Sequence, residues 1–492
     1  MSSVVEESAK AQRHGHDRRW WVLAVLAIAQ LMVVLDATVV NIALPDAQRD
    51  LGFSDSSRQW VITGYTLAFG SLLLLGGRLS DLIGRRIMFI TGLIGFAVAS
   101  AVGGAASSFS MLVGARVAQG VFGAMLAPAA LALLTVTFTE PKEKAKAFGI
   151  FSAVAGAGAA IGLLLGGALT EWASWRWALF VNLIFAGVAL VGALLLLARH
   201  VAHGKASLDL PGTITATAGL FAIVYGFSHA ADHGWGSATT IWCLVLGVLL
   251  LAVFVFIETR VAHPLLPMRV VLDRHRGGAY VSVFVAGIGM FAVFLFLTYF
   301  MQLILKYTPI VTGVAYMPMV FGMVLSSTTG PTLLLPRFGP KIVSVVGFAV
   351  GALAMVLLTQ IDLHSNYATH VLPGLLLMGL GLGAAMSAAF ACATANVQHT
   401  DAGVASAMVN TSQQVGGSIG TALLSTFAAT AATDYMVGKT PNPVNLAEAQ
   451  VHSYITSFWW AAGFLLAGAI LMAIIMPNSV PAPAEGEPVI GA

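Results

Sequence analysis

The sequence predicts an all-α integral membrane protein, built from two bundles of six helices with two further membrane-spanning helices between them. Three observations support this prediction. Hydrophobic residues make up 58% of the 492 residues and charged residues only 9%, whereas a soluble domain contains about 25% charged residues. The apolar residues occur in stretches of about 20, the length that crosses a bilayer as a helix. Basic residues, finally, gather in alternate loops, as they do in membrane proteins.

The apolar stretches number fourteen, and short polar segments separate them. They cover approximately residues 20–44, 60–79, 87–106, 110–136, 146–169, 176–198, 211–230, 239–258, 278–302, 310–334, 341–361, 369–393, 404–431 and 456–476. Because fourteen is an even number, both ends of the chain are expected on the same side of the membrane.

The order of the spans divides the chain into five segments. Residues 1–19 form a polar N-terminal tail, residues 20–199 a first six-helix bundle, and residues 200–275 a linker that carries two extra transmembrane helices. Residues 276–476 form a second six-helix bundle, and the tail 477–492, which contains several prolines, is expected to be disordered. Two halves of six spans each predict a substrate cavity between them.

The distribution of basic residues predicts the orientation of the chain. If the N-terminal tail is cytoplasmic, only five of the 24 lysines and arginines fall in loops on the opposite side: Arg49, Arg58, Arg176, Lys306 and Lys439. Cytoplasmic loops carry the excess of basic residues in membrane proteins. We therefore expect a protein of the bacterial cytoplasmic (inner) membrane with both termini in the cytoplasm.

An acidic residue, Asp36, interrupts the first apolar stretch, LMVVLDATVVNIALP. A carboxylate at the centre of a membrane helix costs on the order of 3 kcal/mol, so it is expected to face a cavity or a partner. A hydrogen bond that only packs two helices would satisfy this requirement. A protonatable or cation-binding site is the interpretation that the position favours.

Arg116 is the only basic residue placed well within a predicted span. At 1.5 Å per residue, it lies roughly 9 Å below the outer end of the fourth span, and Asp36 roughly 12 Å below the outer end of the first. The similar depth predicts an ion pair or a water-bridged pair. Burial raises the pKa of a carboxyl group and a neighbouring arginine lowers it, so such a pair can change protonation, although an inert packing salt bridge remains an alternative.

The sharpest polar interruption of the sequence is GGRLSDLIGRRIMF, residues 76–89. Its charges alone indicate a short loop that joins two neighbouring helices. The order of residues resembles the loop G-x-L-a-D-r-x-G-r-[KR] between the second and third spans of the major facilitator superfamily, where it latches the bundles on the cytoplasmic side. The residues that match are Gly77, Leu79, Asp81, Gly84, Arg85 and Arg86. A weaker echo, GPTLLLPRFGPK, occupies the corresponding place in the second half.

The predicted fifth span is rich in glycine. The four-residue spacing of Gly158, Gly162 and Gly166 places them near one face, where another helix can approach closely, and generic packing explains this adequately. The arrangement also resembles the antiporter signature G-x8-G-x3-G-P-x2-G-G of the superfamily, with Leu163 in place of the proline. The glycines on this signature are Gly149, Gly158, Gly162, Gly166 and Gly167.

Further segments extend the resemblance over nearly the whole chain. LDATVVNIALP, around Asp36, and RVAQGVFGA, around Arg116, are similar to the first-span and fourth-span signatures of drug/proton antiporters. SWRWALFVN, YFMQLILKYTPIVTGVAYMP and GVASAMVNTSQQVGGSIGTAL resemble the fourteen-span branch of that family. The resemblance implies the major facilitator fold, drug or antibiotic efflux, and a role of Arg116 in proton coupling.

The sequence and the resemblance together predict a proton-coupled antiporter that exports small amphiphilic or hydrophobic compounds by alternating access. Asp36 would bind and release the proton, and Arg116 would regulate it. Weaker candidates for polar contacts in the substrate cavity are Asn41, Tyr65, Gln119, Tyr299, Gln302, Asn410 and Gln413. A dedicated exporter of one endogenous metabolite or antibiotic, a proton-coupled importer, and a membrane sensor or enzyme without transport remain alternatives.

Metal, cofactor and nucleotide sites are not indicated. The two cysteines lie within apolar stretches, and the 12 histidines scatter through tails and loops without the spacing of metal ligands. The sequence has no G-x4-G-K-[ST] loop, which argues against direct use of ATP. We expect a monomer in the lipid bilayer, not an enzyme, whose partners are its small-molecule substrate and protons, with no cofactor, no metal and no nucleic acid.

Overall fold

Every regular element in the described part of the chain is a helix. The computed structural model describes residues 2–55, 57–138, 140–197, 209–261, 264–394 and 402–479. The α-helices are α1 (Ser2–Leu51), α2 (Gln59–Ile83), α3 (Arg85–Gly104), α4 (Phe109–Thr137), α5 (Pro141–Trp172), α6 (Trp177–Leu196), α7 (Leu210–His233), α8 (Ala238–Glu258), α9 (Met268–Val271), α10 (Arg274–Ala292), α11 (Pro309–Ala315), α12 (Met317–Thr329), α13 (Leu335–Leu358), α14 (Leu372–Thr394), α15 (Ala402–Met436) and α16 (Pro443–Ile475). Four π-helical segments occur at Val293–Leu297, Phe300–Ile304, Gly330–Leu334 and Tyr367–Val371.

Helices dominate because a chain in hydrocarbon must satisfy its backbone hydrogen bonds internally. Twelve helical stretches among the described residues are long and apolar enough to cross a membrane, so the predicted count of fourteen is not confirmed by length and composition. The predicted spans 310–334 and 341–361 lie in one 50-residue stretch, Pro309–Leu358. The predicted span 146–169 lies in α5, and among the described residues of this helix the apolar segment is Ala157–Trp172.

Two glycines mark equivalent breaks in the two halves. Gly84, between α2 and α3, has φ 109° and ψ 130°, and Gly339, inside α13, has φ 75° and ψ 163°. Residues with a Cβ rarely adopt such positive φ values, so glycine is needed at both positions. The echo between residues 76–89 and GPTLLLPRFGPK therefore corresponds to a shared backbone turn.

The helices pack as two bundles. In the first, α1 packs against α5 and α6, and α4 against α2 and α3; in the second, α10 packs against α14, α15 and α16, and α14 against α12 and α13. The two largest contacts between the bundles are those of α2 with α15 and of α5 with α11. The additional helices α7 and α8 pack against each other, and α7 also contacts α2 and α15. They therefore lie beside one of the two largest contacts between the bundles.

The cores differ between the two ends of the molecule. We call the end with the loop at residues 52–58 the α1–α2 end, and the end with Gly84 the α2–α3 end. Near the α1–α2 end, one apolar cluster continues across both bundles and joins Val39 of α1 to Phe296 and Phe300 of the second bundle. A second cluster belongs to the first bundle, with Ala407 of α15 packed against it. The bundles thus share a core at the α1–α2 end.

The predicted tails are covered only in part. Helix α1 extends from Ser2 to Leu51, and its membrane-spanning part is Arg18–Leu51. Most of the predicted disordered tail, and the first part of the predicted linker, lie outside the described residues.

Candidate functional site

The carboxylate of Asp36 lies inside the first bundle and is completely buried. Arg116 Nη1 donates to Asp36 Oδ2 over 2.6 Å. Gln119 Nε2 donates to Oδ1 over 2.8 Å, and Asn182 Nδ2 donates to the same oxygen over 2.7 Å. Helices α1, α4 and α6 therefore meet at this carboxylate.

The guanidinium of Arg116 is held on several sides. Its Nε donates to the carbonyl oxygen of Val61 over 3.1 Å, and its Nη1 donates to Gln119 Oε1 over 2.8 Å as well as to Asp36. The guanidinium carbon lies 4.4 Å from the centre of the Tyr65 ring. Arg116 and Gln119 share a helix face because residues three apart are neighbours on an α-helix.

A second layer of polar side chains orients the amides around Asp36. The hydroxyl oxygen of Ser100, on α3, accepts from Gln119 Nε2 over 2.7 Å and from Asn182 Nδ2 over 3.3 Å. Sequence reasoning did not identify Ser100 or Asn182. Single neutral polar residues are common in membrane helices, so neither position carries a distinguishing signal, although Asn182 does fall in the segment SWRWALFVN.

Two of the predicted cavity residues belong to this network instead of the space between the bundles. Tyr65 lies under the Arg116 guanidinium, and Gln119 bonds to Asp36, Arg116 and Ser100. Both side chains are therefore turned into the first bundle in this conformation.

Two other predicted residues connect the bundles at the α1–α2 end. The hydroxyl of Tyr299 donates to Gln48 Oε1, and Gln302 Nε2 donates to the carbonyl oxygen of Ile42 over 3.0 Å. Both residues belong to the second bundle and both partners to α1. These side chains therefore link the two bundles at the α1–α2 end.

The remaining predicted cavity residues lie elsewhere. Asn41 is buried on α1, and its Nδ2 donates to the carbonyl oxygen of Ala37 over 2.8 Å. Asn410 and Gln413 are half-buried on α15. The structure thus does not bring the seven residues together at one site.

Arg58, which the sequence placed in an outer loop, is buried between the bundles with 5% of its surface exposed. Its guanidinium carbon lies 4.0 Å from the centre of the Tyr299 ring and 5.9 Å from that of Phe296. Asp55 supplies the nearest carboxylate, with 3.4 Å between Arg58 Nη1 and Oδ1. An arginine of the first bundle is therefore enclosed by aromatic rings of the second.

The glycines of α5 face two different helices. A methyl group at Gly158 would lie 3.1 Å from Val34 Cγ1, and one at Gly166 would lie 2.9 Å from Val39 Cα. Both neighbours are in α1, as is Thr38 opposite Gly162. Gly167 instead faces the second bundle, where a methyl group would lie 2.6 Å from the Cα atom of Ile310. The surroundings of Gly149 lie outside what the structure describes.

The charged loop forms a tight turn within the first bundle. Gly84 provides the turn, and Arg86 Nη2 donates to the carbonyl oxygen of Leu194 in α6 over 3.3 Å. A methyl group at Gly77 would lie 3.7 Å from Pro128 Cβ of α4. The bond of Arg86 is therefore internal to this bundle. The side chain of Asp81 lies outside the described residues. Arg85 also interacts with other residues of the protein.

Comparison with known proteins places these features in a family. The model of the Major Facilitator Superfamily matches residues 26–421. The Spinster transporter homologue of bacteria, solved in an inward-facing and unoccupied conformation, has a TM-score of 0.60 at 17% identity. The match covers 93% of this chain and 97% of that one, and it indicates the fold.

Curated relatives are similar over almost their entire lengths. The puromycin resistance protein pur8 of Streptomyces alboniger is 50% identical, with 99% of this chain and 96% of the relative covered. The cephamycin export protein CmcT of Amycolatopsis lactamdurans is 36% identical, with 92% of each chain covered. The tetracenomycin C resistance and export protein of Streptomyces glaucescens is 33% identical, with 86% and 78% covered. The chain therefore belongs to the Major Facilitator Superfamily and is a multi-pass membrane transporter.

Proposed function

We propose that this protein is a proton-coupled antiporter that exports small amphiphilic antibiotics across the cytoplasmic membrane. Its similarity to puromycin, cephamycin and tetracenomycin C resistance or export proteins supports efflux. The observation that supports coupling to protons is the buried contact of Asp36 with Arg116. Ionisable groups inside membrane proteins commonly mark proton or ion pathways.

The chain crosses the membrane fourteen times in this proposal. The stretch Pro309–Leu358 has 50 residues, which as a continuous helix would span about 75 Å at 1.5 Å per residue. The hydrocarbon core is about 30 Å thick, so the stretch crosses twice and turns at Gly339. Helix α5 has 32 residues, which is also long enough for one crossing.

The α1–α2 end faces the outside in this proposal, and both termini are cytoplasmic. The excess of basic residues on the opposite side supports this orientation. Three contacts between the bundles close the outer end: Gln302 with Ile42, Tyr299 with Gln48, and Ile310, whose N–H donates to Glu171 Oε2 over 3.1 Å. The described conformation is then closed to the outside.

Protonation of Asp36 would supply the switch. In the ionised form, the carboxylate accepts from Arg116, Gln119 and Asn182. A proton on either oxygen removes the charge that balances Arg116 and one of the acceptor positions. Breaking a buried ion pair costs about 3–5 kcal/mol, which is comparable to the sum of about 2.3 kcal/mol from 100 mV and about 1.4 kcal/mol from one pH unit.

Asp36 could supply at most one buried negative charge to a cationic substrate. Its oxygens are occupied by side chains of the first bundle, and no other carboxylate was placed deep in a predicted span. We therefore expect neutral, monocationic or weakly anionic substrates to be exported in preference to dications.

A dedicated exporter of one antibiotic is the second candidate function. The 50% identity to a puromycin resistance protein over 99% of the chain favours it over a broad multidrug pump. Susceptibility of a pump-deficient host to puromycin, tetracenomycin C and lincomycin separates the two. Protection against puromycin alone supports the dedicated exporter, and protection against all three supports the broad one.

Transport into everted membrane vesicles, with puromycin as the probe, tests proton coupling. A pH gradient, acidic inside the vesicles, should drive uptake in the wild type, and a protonophore should abolish it. Asp36→Asn removes the charge and should lower driven uptake by more than about tenfold, which corresponds to 1.4 kcal/mol. Undiminished uphill uptake by Asp36→Asn would contradict the assignment of Asp36.

A further inference from the structure

One of the two largest contacts between the bundles is lined with polar side chains. We call it the α2–α15 seam, and it consists of Gln59, Thr63, Thr66 and Gly70 of α2 with Gln414, Ser418, Thr421 and Ser425 of α15. Thr66 Oγ1 and Ser418 Oγ lie 2.6 Å apart, and a methyl group at Gly70 would lie 2.8 Å from Gln414 Cβ. These two contacts fix an antiparallel register of the helices.

The same register places Thr63 opposite Thr421 and Gln59 opposite Ser425, one and two turns further toward the α1–α2 end. All four residues are buried, with 4% of their surface exposed at most. Neither polar atom of the Gln59 amide and none of the three hydroxyls has a hydrogen-bond partner among the described residues. A buried polar group that makes no hydrogen bond lowers the stability of the fold, because it has lost its bonds to water without replacement.

Helix α7 covers the flank of the seam. Leu67 of α2, Val224 of α7 and Ala422 of α15 form an apolar cluster, and Thr426 Oγ1 donates to the carbonyl oxygen of Phe227 over 2.9 Å. Ser228, next to that carbonyl, is buried and its hydroxyl also lacks a partner among the described residues. Polar groups thus face one another behind an apolar cover contributed by an additional helix.

We propose that the α2–α15 seam binds ordered water when the outer end is closed, and that the bundles separate along this wet contact when the outer end opens. Buried waters typically make about three hydrogen bonds to polar groups that otherwise lack partners. Gln59, Thr63, Thr421 and Ser425 offer such groups in a row. The separation of the bundles along the seam rests on the proposed alternating-access transport. The binding of ordered water in the seam does not depend on that proposal.

The hydration of the seam affects the difference in free energy between the open and the closed conformation. When the outer end opens, bulk water reaches the polar side chains of the seam and satisfies them. When it closes, a few trapped waters do so, at a modest cost in entropy for each water. The open and closed conformations therefore remain close in free energy, and α7 prevents lipid chains from entering the contact.

The double variant Thr63→Val/Thr421→Val tests this inference. Valine keeps the branched shape at Cβ but replaces two hydroxyls, so the seam should become dry and the closed conformation should become more stable. We expect the melting temperature in detergent to rise by about 2 °C, amide hydrogen exchange in α2 and α15 to slow, and puromycin transport to fall several-fold. Ser425→Ala, a single truncation, should change the same quantities in the same directions by smaller amounts.

The matched control is Thr66→Val/Ser418→Ala, which removes two hydroxyls that already bond to each other. Its melting temperature should fall. If Thr63→Val/Thr421→Val also lowers the melting temperature or accelerates exchange, the wet seam is refuted. A higher melting temperature with unchanged transport would overturn the role in opening. The melting temperature and the amide exchange rates do not depend on substrate or protons. A wild type that fails to transport puromycin would therefore contradict the proposed function. The water site would then be decided by melting and exchange alone.

Discussion

The α5–α11 contact and the α2–α15 seam join the same two bundles with opposite chemistry. In the α5–α11 contact, a methyl group at Gly313 would lie 2.4 Å from the carbonyl oxygen of Leu163, and one at Gly167 would lie 2.6 Å from Ile310 Cα. Backbone meets backbone there, as in other small-residue interfaces of membrane helices. In the α2–α15 seam, Thr63 and Thr421 face each other with hydroxyls that lack partners among the described residues.

This difference indicates how the two contacts respond when the bundles move. Close packing of backbones depends steeply on distance, so the α5–α11 contact is either formed or lost. A polar contact can exchange side-chain partners for water at little net cost in free energy. In the proposed transport cycle, the glycine contact would therefore determine the stability of the outer-closed conformation, while the polar seam would allow the bundles to separate gradually.

Gly313→Ala is expected to have the largest effect on transport among the variants that compare the two contacts. Its methyl group would meet the Leu163 carbonyl oxygen at 2.4 Å, and a backbone atom cannot move aside as a side chain can. Overpacking of this kind costs about 1–3 kcal/mol. We expect faster amide exchange in α5 and α11 and a loss of transport by about tenfold, since 1.4 kcal/mol corresponds to that factor.

The control for Gly313→Ala is Gly463→Ala in α16, where no atom lies within 4 Å of the added methyl group. Alanine stabilises a helix interior by about 1 kcal/mol relative to glycine, so this variant should melt at the same or a slightly higher temperature. Equal behaviour of the two variants would show that the α5–α11 contact does not depend on close approach.

Arg58→Ala should have an intermediate effect at the outer end itself. The guanidinium lies 4.0 Å from the centre of the Tyr299 ring, and a desolvated cation–π contact contributes about 2 kcal/mol. Removing it should weaken closure and increase the accessibility of the α1–α2 end, measured as labelling of an introduced Ile42→Cys, a buried position whose backbone carbonyl still accepts from Gln302. Arg58→Lys retains the charge without the planar group and should fall between the wild type and Arg58→Ala. Unchanged labelling in both variants would exclude Arg58 as part of the closure.

The contact between Asp36 and Arg116 could be predicted because the position of a residue along an apolar helix gives its depth in the membrane. Asp36 and Arg116 were expected at similar depth, and 2.6 Å separates Arg116 Nη1 from Asp36 Oδ2. The rotation of a helix about its axis is much harder to predict, because almost every face of these helices is apolar. Gln119 and Tyr65 were therefore assigned to a central cavity, whereas both are turned toward Arg116 inside the first bundle.

The burial of Arg58 could not be predicted because the residues that surround it come from distant parts of the sequence. Arg58 precedes α2 in a polar segment, which on composition alone is an exposed loop. Its burial depends on Phe296, which lies in a π-helical segment of the second bundle, and on Tyr299, which lies between that segment and the next. The polar seam was hidden for the same reason, since only the register of α2 against α15 brings Thr63 and Thr421 face to face.

Gly70→Ala is the smallest predicted effect and compares the two contacts most directly, because it is the same change as Gly313→Ala made in the α2–α15 seam. The added methyl group would lie 2.8 Å from Gln414 Cβ and 3.5 Å from Val415 Cγ2 and N, so α15 must shift slightly, but no backbone oxygen lies as close as it does at Gly313. The gain in helix propensity, about 1 kcal/mol, should offset most of the crowding. We expect a melting temperature close to that of the wild type and transport reduced by less than about threefold, which is under 1 kcal/mol. If Gly70→Ala impairs transport as strongly as Gly313→Ala, both contacts depend equally on close packing, and the distinction between a dry and a wet contact is wrong.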